Sequence, residues 1–157
     1  MTIRLIVILL ISGIGTSMAD DGADAGAKLY EYFAAFSAKE VQKVASDVYS
    51  TPVHIGGGAG HRVLADPAAA VANLNNLYTQ IEAQGWVESR IEDLEICVAS
   101  ETLALVDTRY SRLDQDGNPI PPAIRTTLYL LQKIEGDWRI IAFYGHDNDT
   151  RPGCNNK

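Results

Sequence analysis

Three stretches in the first half of the chain repeat apolar residues at the spacing of an α-helix. The first covers residues 27–36, and the second follows Ser37, which with Glu40 predicts a capping box and a new helix. The third starts at Asp66-Pro67, an N-cap with proline in the first helical position, and ends before Gly85. The predicted inward stripes are Leu29, Tyr32, Phe33 and Phe36, then Val41, Val44, Ala45 and Val48, then Val71, Leu74, Tyr78 and Ile81.

The rest of the chain alternates in the manner of β-strands. Short strands are predicted at 52–55 and 61–65, and long strands at 86–98, 102–113, 123–134 and 137–147, the first of these with a bulge near Glu92. Helices followed by a mostly antiparallel sheet predict an α+β fold in which the helices pack on one face of a curved sheet.

The last two strands form a predicted hairpin in which a three-residue turn pairs Ile134 with Trp138. Alternation then divides the hairpin into two partly apolar faces. The face expected to point inward carries Leu128, Leu130, Ile134, Trp138, Ile140, Ala142 and Tyr144. The opposite face carries Tyr129, Leu131, Ile141 and Phe143, and an apolar outer face predicts that a second subunit covers it as a homodimer.

The N-terminus has the three-part layout of a secretory signal peptide. Arg4 precedes an apolar run from Leu5 to Ile14, and small residues precede a cut after Ala19. The apolar run is too short for a helix that crosses a bilayer, which takes about 20 residues. We therefore predict a signal peptide at 1–19, a mobile acidic lead-in at 20–26, one domain at 27–148 and a tail at 149–157, in a protein exported to the periplasm or secreted.

The net charge of the chain limits the classes of binding partner, and its cysteines bear on the cellular compartment. The net charge of −7 argues against nucleic acid and against an anionic membrane surface after cleavage of the signal peptide. The chain has two cysteines, Cys97 and Cys154, and export would place them in an oxidising compartment. A disulfide between them is therefore predicted, with free thiols as the alternative.

The run HIGGGAGH, residues 54–61, does not match a phosphate-binding loop. A Walker loop would end in Gly-Lys-Ser/Thr at the start of a helix, whereas His61-Arg62 follows these glycines and the helix begins only at Pro67. The glycines instead predict a turn between two short strands. His54, His61 and His146 are the chain's only histidines, and no two have ligand spacing on one element, so neither a metal nor a cofactor is predicted.

The order of elements resembles the nuclear transport factor 2-like superfamily, also called SnoaL-like or cystatin-like α+β. The resemblance rests on the paired N-terminal helices, on VLADPAAAVANLNNLY, on LALVDTRYSRLDQDG and on LLQKIEGDWRIIAFYGHD, and it covers nearly all of residues 24–147. It implies a cone of helices and sheet that encloses a pocket, and frequent homodimers. Members include ketosteroid isomerase, cyclases, dehydratases and proteins with no known chemistry, so the resemblance implies a pocket and no particular reaction.

The candidate site residues follow from this expected pocket. Aromatic and mouth residues expected to line it are Tyr30, Phe33, Tyr49, His54, Trp86 and Tyr110, with plain core packing as the alternative for the aromatics. Tyr144 and His146 lie two residues apart on the face expected to point inward, and they are the catalytic candidates as acid or base. Two functions follow as hypotheses: binding of a small, partly apolar molecule, with catalysis left open, or a non-catalytic dimeric module that acts through protein contacts.

Overall fold

The computed structural model describes residues 18–58 and 60–151. Helix α1 spans Met18–Ser37, α2 spans Val41–Lys43 and continues as a π-helical stretch over Val44–Val48, and α3 spans Pro67–Glu82. The strands are β1 (Tyr49–Gly56), β2 (Arg62–Leu64), β3 (Glu88–Ser100), β4 (Leu103–Leu113), β5 (Arg125–Ile134) and β6 (Asp137–His146). The predicted α+β class and nearly every predicted element are confirmed.

The six strands form one curved, unclosed sheet in the order β2-β1-β6-β5-β4-β3. All neighbours are antiparallel except β1 and β6, which run parallel. Helix α1 packs against β3, and its buried side chains Leu29, Tyr32, Phe33 and Phe36 belong to one core with the sheet. The apolar stripes of the helices therefore cover one face of the sheet, which we call the inner face; the opposite face is the outer face.

Two predictions about the first helices differ from the structure. Residues 20–26, expected as a mobile lead-in, lie inside α1, where Ala25 is fully buried and Asp21 pairs with Lys133 of β5. The capping box is also absent, because the N-cap Glu40 forms no side-chain cap bond and the Ser37 hydroxyl accepts from the backbone N–H of Ser89 at 3.0 Å. The Asp21–Lys133 ion pair and the Ser37–Ser89 hydrogen bond each join residues far apart in sequence, so local sequence patterns did not reveal them.

Local predictions for α3 and for the glycine run agree with the structure. The Asp66 carboxylate accepts from the N–H of Ala69 at 2.8 Å, which is the expected N-cap bond. The glycines form the turn between β1 and β2, closed by a bond from the N–H of Gly60 to the carbonyl of Gly57 at 2.9 Å. Gly57 has a φ of 144° and Gly60 a φ of 98°, a backbone that favours glycine.

The β5–β6 hairpin has a different register from the one expected. Glu135 and Gly136 both have positive φ and form a two-residue turn, so Ile134 pairs with Asp137. Leu131 pairs with Ile140 whereas Leu130 pairs with Ala142, which makes Ile141 a bulge. The three-residue turn expected from the sequence would also have paired Leu130 with Ala142 and Leu128 with Tyr144. These two pairs are present, because the bulge compensates for the shorter turn.

The shorter turn reverses the alternation expected for β5, and the bulge exchanges the two faces of β6 beyond Ile141. Beyond Ile141, Phe143 points to the inner face with Tyr129, and Tyr144 and His146 point to the outer face. Leu131 is fully buried in the core. The expectation that Tyr144 faces inward, and that Leu131 and Phe143 face outward, is therefore wrong.

The remaining predictions about the ends of the chain concern mainly residues outside the described range. The predicted signal peptide, apart from Met18 and Ala19, lies there, and so do Cys154 and the tail from 152 onward. Within the described residues no helix combines the length and the apolarity that crossing a bilayer requires.

Candidate functional site

A cavity of about 80 Å³ lies between the helices and the inner face of the sheet. Aromatic rings form much of its wall, and polar side chains enter from α3, β2, β3 and β4. Its lining residues are Tyr32, Phe33, Phe36, Tyr49, Arg62, Asn73, Leu77, Ser89, Tyr110, Arg112, Thr127, Tyr129 and Phe143. The volume is below the roughly 300–1,000 Å³ of sites for drug-sized ligands, so the cavity fits only a small molecule.

Three buried tyrosines converge on this cavity. The hydroxyl of Tyr49 donates to that of Tyr32 at 3.2 Å, and the rings of Tyr32 and Tyr129 have centroids 5.7 Å apart. Burial raises the pKa of Tyr32 to about 12 and the pKa values of Tyr49 and Tyr129 well above 10. The three phenols therefore stay neutral at physiological pH. Tyr49 donates its hydrogen to Tyr32 and Tyr129 is also hydrogen-bonded to Tyr32, so the hydroxyl hydrogen of Tyr32 can be donated to a ligand.

Arg112 is a partly buried cationic group in the wall of the cavity, and in the part of the chain that the structure describes its guanidinium has no hydrogen-bond or ion-pair partner. It lies on β4 opposite Ser89 of β3, two residues from Tyr110. Its Nε is buried without a hydrogen bond, and among the described residues it pairs with no carboxylate. A second arginine, Arg62, lies at the exposed side of the cavity on β2.

The neighbouring Arg125 is held differently. Its guanidinium donates to the carbonyls of Pro122 at 2.7 Å, Pro121 at 3.0 Å and Ile120 at 3.1 Å. Burial lowers the pKa of Arg125, and the positive charge of Arg112 lowers it further. Arg112 therefore adds a second positive charge to this end of the sheet, while Arg125 is fixed by the backbone.

An open cleft of about 420 Å³ lies at the end of the sheet beside the cavity. Its walls include Gly58, Arg125, His146 and Asn148, and it shares Tyr110 and Thr127 with the cavity. Tyr110 and Thr127 thus separate the buried space from a solvent-filled approach.

The structure divides the predicted pocket residues into two groups. Phe33, Tyr49 and Tyr110 line the cavity. Tyr30 is 58% exposed, and Trp86 is buried against Phe36 and Tyr78 in the core instead. His54 is exposed and stacks on His61 across the β1–β2 turn, with Nδ1 of His54 3.4 Å from Nε2 of His61.

The catalytic candidates Tyr144 and His146 lie on the outer face, away from the cavity. Nε2 of His146 is 2.8 Å from the carboxylate of Asp107, and its Nδ1 is 3.0 Å from the carbonyl of Asp147. Both partners are acceptors, so both ring nitrogens must carry hydrogen for both bonds to form. In that state the imidazole has no free lone pair with which to take up a proton.

Asp107 is the centre of an ion-pair cluster on the outer face. It is 2% exposed, and besides His146 it has Nε of Arg151 at 3.4 Å from its second oxygen. Arg151 also pairs with Asp93 and Glu95 of β3. The cluster fixes the end of β6 and the start of the tail, which is a structural arrangement.

Sequence analysis missed Arg112, Arg62, Asn73, Tyr32 and Tyr129 as cavity residues. Tyr32 and Tyr129 were assigned to the stripe of a helix and to the wrong face of the hairpin. Arg112 could have been found, because it continues the alternation of Thr108 and Tyr110 along β4 and therefore shares their face. Among the described residues, no three histidine, cysteine or acidic side chains are grouped as metal ligands.

Solved structures of other proteins share the fold of this chain. An NTF2-like protein with a cystatin-like fold from Novosphingobium aromaticivorans superposes with a TM-score of 0.68 at 9% identity, over 86% of each chain. A ketosteroid isomerase-like protein from Erwinia carotovora atroseptica gives 0.59 at 16% identity, over 80% of this chain and 95% of the other. A hexachlorocyclohexane dehydrochlorinase, LinA-type3, from Novosphingobium barchaimii gives 0.59 at 14% identity, over 83% and 88%.

At these identities the superpositions establish the fold and carry no activity across. No curated protein sequence matches the chain. The profile of a family described as NTF2-like protein (DUF6841) matches residues 23–148. That match covers the helices, the sheet and the whole cavity, and the chain therefore belongs to this NTF2-like family.

Proposed function

We propose that the protein binds a small, partly apolar molecule in the cavity between the helices and the inner face. The observation that carries the proposal is the buried Nε of Arg112, which has no hydrogen-bond partner within the described part of the chain although it lies beside aromatic rings and neutral phenols. A polar group buried without a partner costs free energy, and a ligand that supplies the partner removes that cost. We assign no reaction to the site, because none of the described residues that line the cavity is a histidine, an aspartate or a glutamate.

The proposal predicts ligand-dependent stabilisation that depends on the cavity. A fragment library is screened by thermal shift, since a molecule that binds only the folded state raises the melting temperature. Thr127→Leu fills the cavity from β5 and should remove the shift. Gln132→Leu, a polar-to-leucine change at an exposed position of the same strand, is the control and should retain it.

A library that leaves the melting temperature unchanged would contradict the proposal. Equal shifts in Thr127→Leu and in the parent would show that the fragments bind elsewhere.

We also propose that the protein is exported after loss of residues 1–19. The support is the layout of Arg4, the apolar run and the small residues before Ala19. Cleavage there leaves Asp21, with its partner Lys133, in the mature chain. Mass spectrometry of the periplasmic and extracellular fractions should find a chain that begins at Asp20, and an intact N-terminus in the cytoplasmic fraction alone would contradict it.

A homodimeric interaction module is the second candidate. The outer face exposes parts of Leu105, Leu128 and Leu130 on adjacent strands, next to Tyr144. A patch of this kind on a soluble domain is typical of a contact with another protein.

A further inference from the structure

We propose that the cavity selects a small carboxylic acid, whose carboxylate is bound by Arg112. The inference rests on the proposed function, because it names the chemical class of the ligand that the same cavity would bind.

The first argument is the contrast between Arg112 and three arginines whose guanidinium groups are held by protein acceptors. Arg151 pairs with three carboxylates, Arg90 pairs with Glu92, and Arg125 donates to three carbonyls. Arg112 is partly buried and, among the described residues, has no such partner. A guanidinium removed from water is expected to have an anion or an acceptor beside it, and at Arg112 the space beside it is the cavity.

The second argument is the charge of the wall. The chain contains 20 acidic residues and a net charge of −7, yet the described residues that line the cavity include two arginines and no aspartate or glutamate. Among the described residues, Arg112 forms no ion pair with a carboxylate, whereas carboxylates of β3 and β4 pair with Arg90 and Arg151. A positive cavity inside an acidic protein favours an anionic ligand over a neutral or cationic one.

The third argument is the shape and the chemistry of the remaining wall. The planar fork of a guanidinium matches the two oxygens of a carboxylate, and the neutral phenol of Tyr32 is a donor that suits an anion. The rings of Phe33, Tyr110 and Phe143 offer flat apolar surfaces to the body of the ligand. A volume of about 80 Å³ limits that body to a size near one ring or a short chain.

The test compares three probes of similar shape on the purified protein: benzoate, benzamide and benzyl alcohol. Affinities are measured by calorimetry or by NMR titration. Charge-assisted hydrogen bonds are about twice as strong as neutral ones, so benzoate should bind at least about tenfold more tightly than either neutral probe. This measurement needs no variant and stands even if a substitution impairs folding.

Three variants then test whether Arg112 causes the preference for benzoate over the neutral probes. Arg112→Gln should bind benzoate no better than benzamide, and Arg112→Lys should retain part of the preference. Arg90→Gln removes a positive charge from an exposed ion pair outside the cavity and should retain all of it.

Equal affinities for the three probes would overturn the carboxylate proposal and leave the proposed function intact. A benzoate preference that persists in Arg112→Gln would overturn it as well. If neither these probes nor any fragment of the library binds, the proposed function itself fails and the ligand class fails with it.

Discussion

At the scale of single residues, the buried phenols make stability depend on alkaline pH. The pKa of Tyr32 is about 12 in the folded chain, against 10.0 for the exposed group, because burial disfavours the phenolate. The folded state therefore holds a proton that the unfolded state has begun to lose. The stabilisation is fully present below pH 10 and is lost as the pH rises towards 12.

We expect the free energy of unfolding to fall across that window, as measured by urea denaturation at a series of pH values. Tyrosinate absorbance should appear together with unfolding. Tyr32→Phe should show a shallower fall, and a free energy that stays constant up to pH 12 would contradict the assignment.

The histidine on the outer face leads to a second residue-scale prediction. His146→Ala removes a partner of the buried Asp107 carboxylate and should lower the free energy of unfolding by about 1–3 kcal/mol, with Arg151 limiting the loss. Ligand affinity should not change, because His146 is not a lining residue of the cavity. Denaturant melts and a ligand titration of the variant measure the two effects separately.

His54→Ala is the matched control. His54 is exposed and contacts His61 at 3.4 Å, so its loss should change stability by no more than about 0.5 kcal/mol. If His146→Ala retained full stability but lost ligand binding, His146 would have to be placed in the binding site after all.

At the scale of elements, the glycines between β1 and β2 differ in how closely neighbouring atoms approach them. A Cβ on Gly56 would lie 2.2 Å from Cδ1 of Tyr144 on the adjacent strand β6, so either the ring or the strand would have to move. Gly56→Ala should therefore destabilise the fold by about 1–3 kcal/mol in a thermal or urea melt.

Gly58→Ala is the control within the same run. A Cβ there meets no atom within 4 Å, and we expect a change of no more than about 0.5 kcal/mol. Equal effects of the two substitutions would show that flexibility of the turn, and not the contact with Tyr144, explains the glycines.

Elements were predictable from the sequence because each has a local pattern. The helix stripes, the Asp66 cap and the bulge near Glu92 all depend on residues close together in the chain, and the structure contains them. The side of the sheet on which a residue lies was less predictable. A period of two assigns faces correctly only until one residue is inserted, and nothing local distinguishes Ile141 from its apolar neighbours.

The residues of the candidate site were also predictable only where the element and the face of the sheet were both assigned correctly. Phe33, Tyr49 and Tyr110 were expected to line the pocket and do, since their elements were correctly placed. His146 and Tyr144 were placed in the pocket because the alternation was counted through the bulge. Arg112 was missed because an arginine in a strand is ordinarily solvent-exposed, although the alternation along β4 places it on the same face as Tyr110.

At the scale of the whole molecule, the tail is predicted to be tied to the sheet by a Cys97–Cys154 disulfide. Arg151 already fixes the start of the tail through ion pairs with β3, the strand that carries Cys97. The bond would close a long loop and stabilise the fold by about 4 kcal/mol in the chain-entropy account. Thiol titration of the unfolded, unreduced protein should find no reactive thiol, and two thiols per chain would exclude the bond.

The last prediction concerns homodimerisation, and the structure changes which residues could form the dimer interface. Leu131 and Phe143, on which a dimer was predicted, belong to the inner face, so a dimer would have to use Leu105, Leu128 and Leu130 of the outer face. A symmetric contact buries the same patch on both subunits, and a stable one removes about 800 Å² of accessible surface from each.

We expect light scattering at micromolar concentration to give the mass of a dimer for the parent protein, and the mass of a monomer for Leu128→Lys. Gln132→Lys adds the same charge at an exposed position of β5 and should leave the dimer intact. A monomeric parent protein would exclude this assembly, and the outer face would then have to be explained by a different partner.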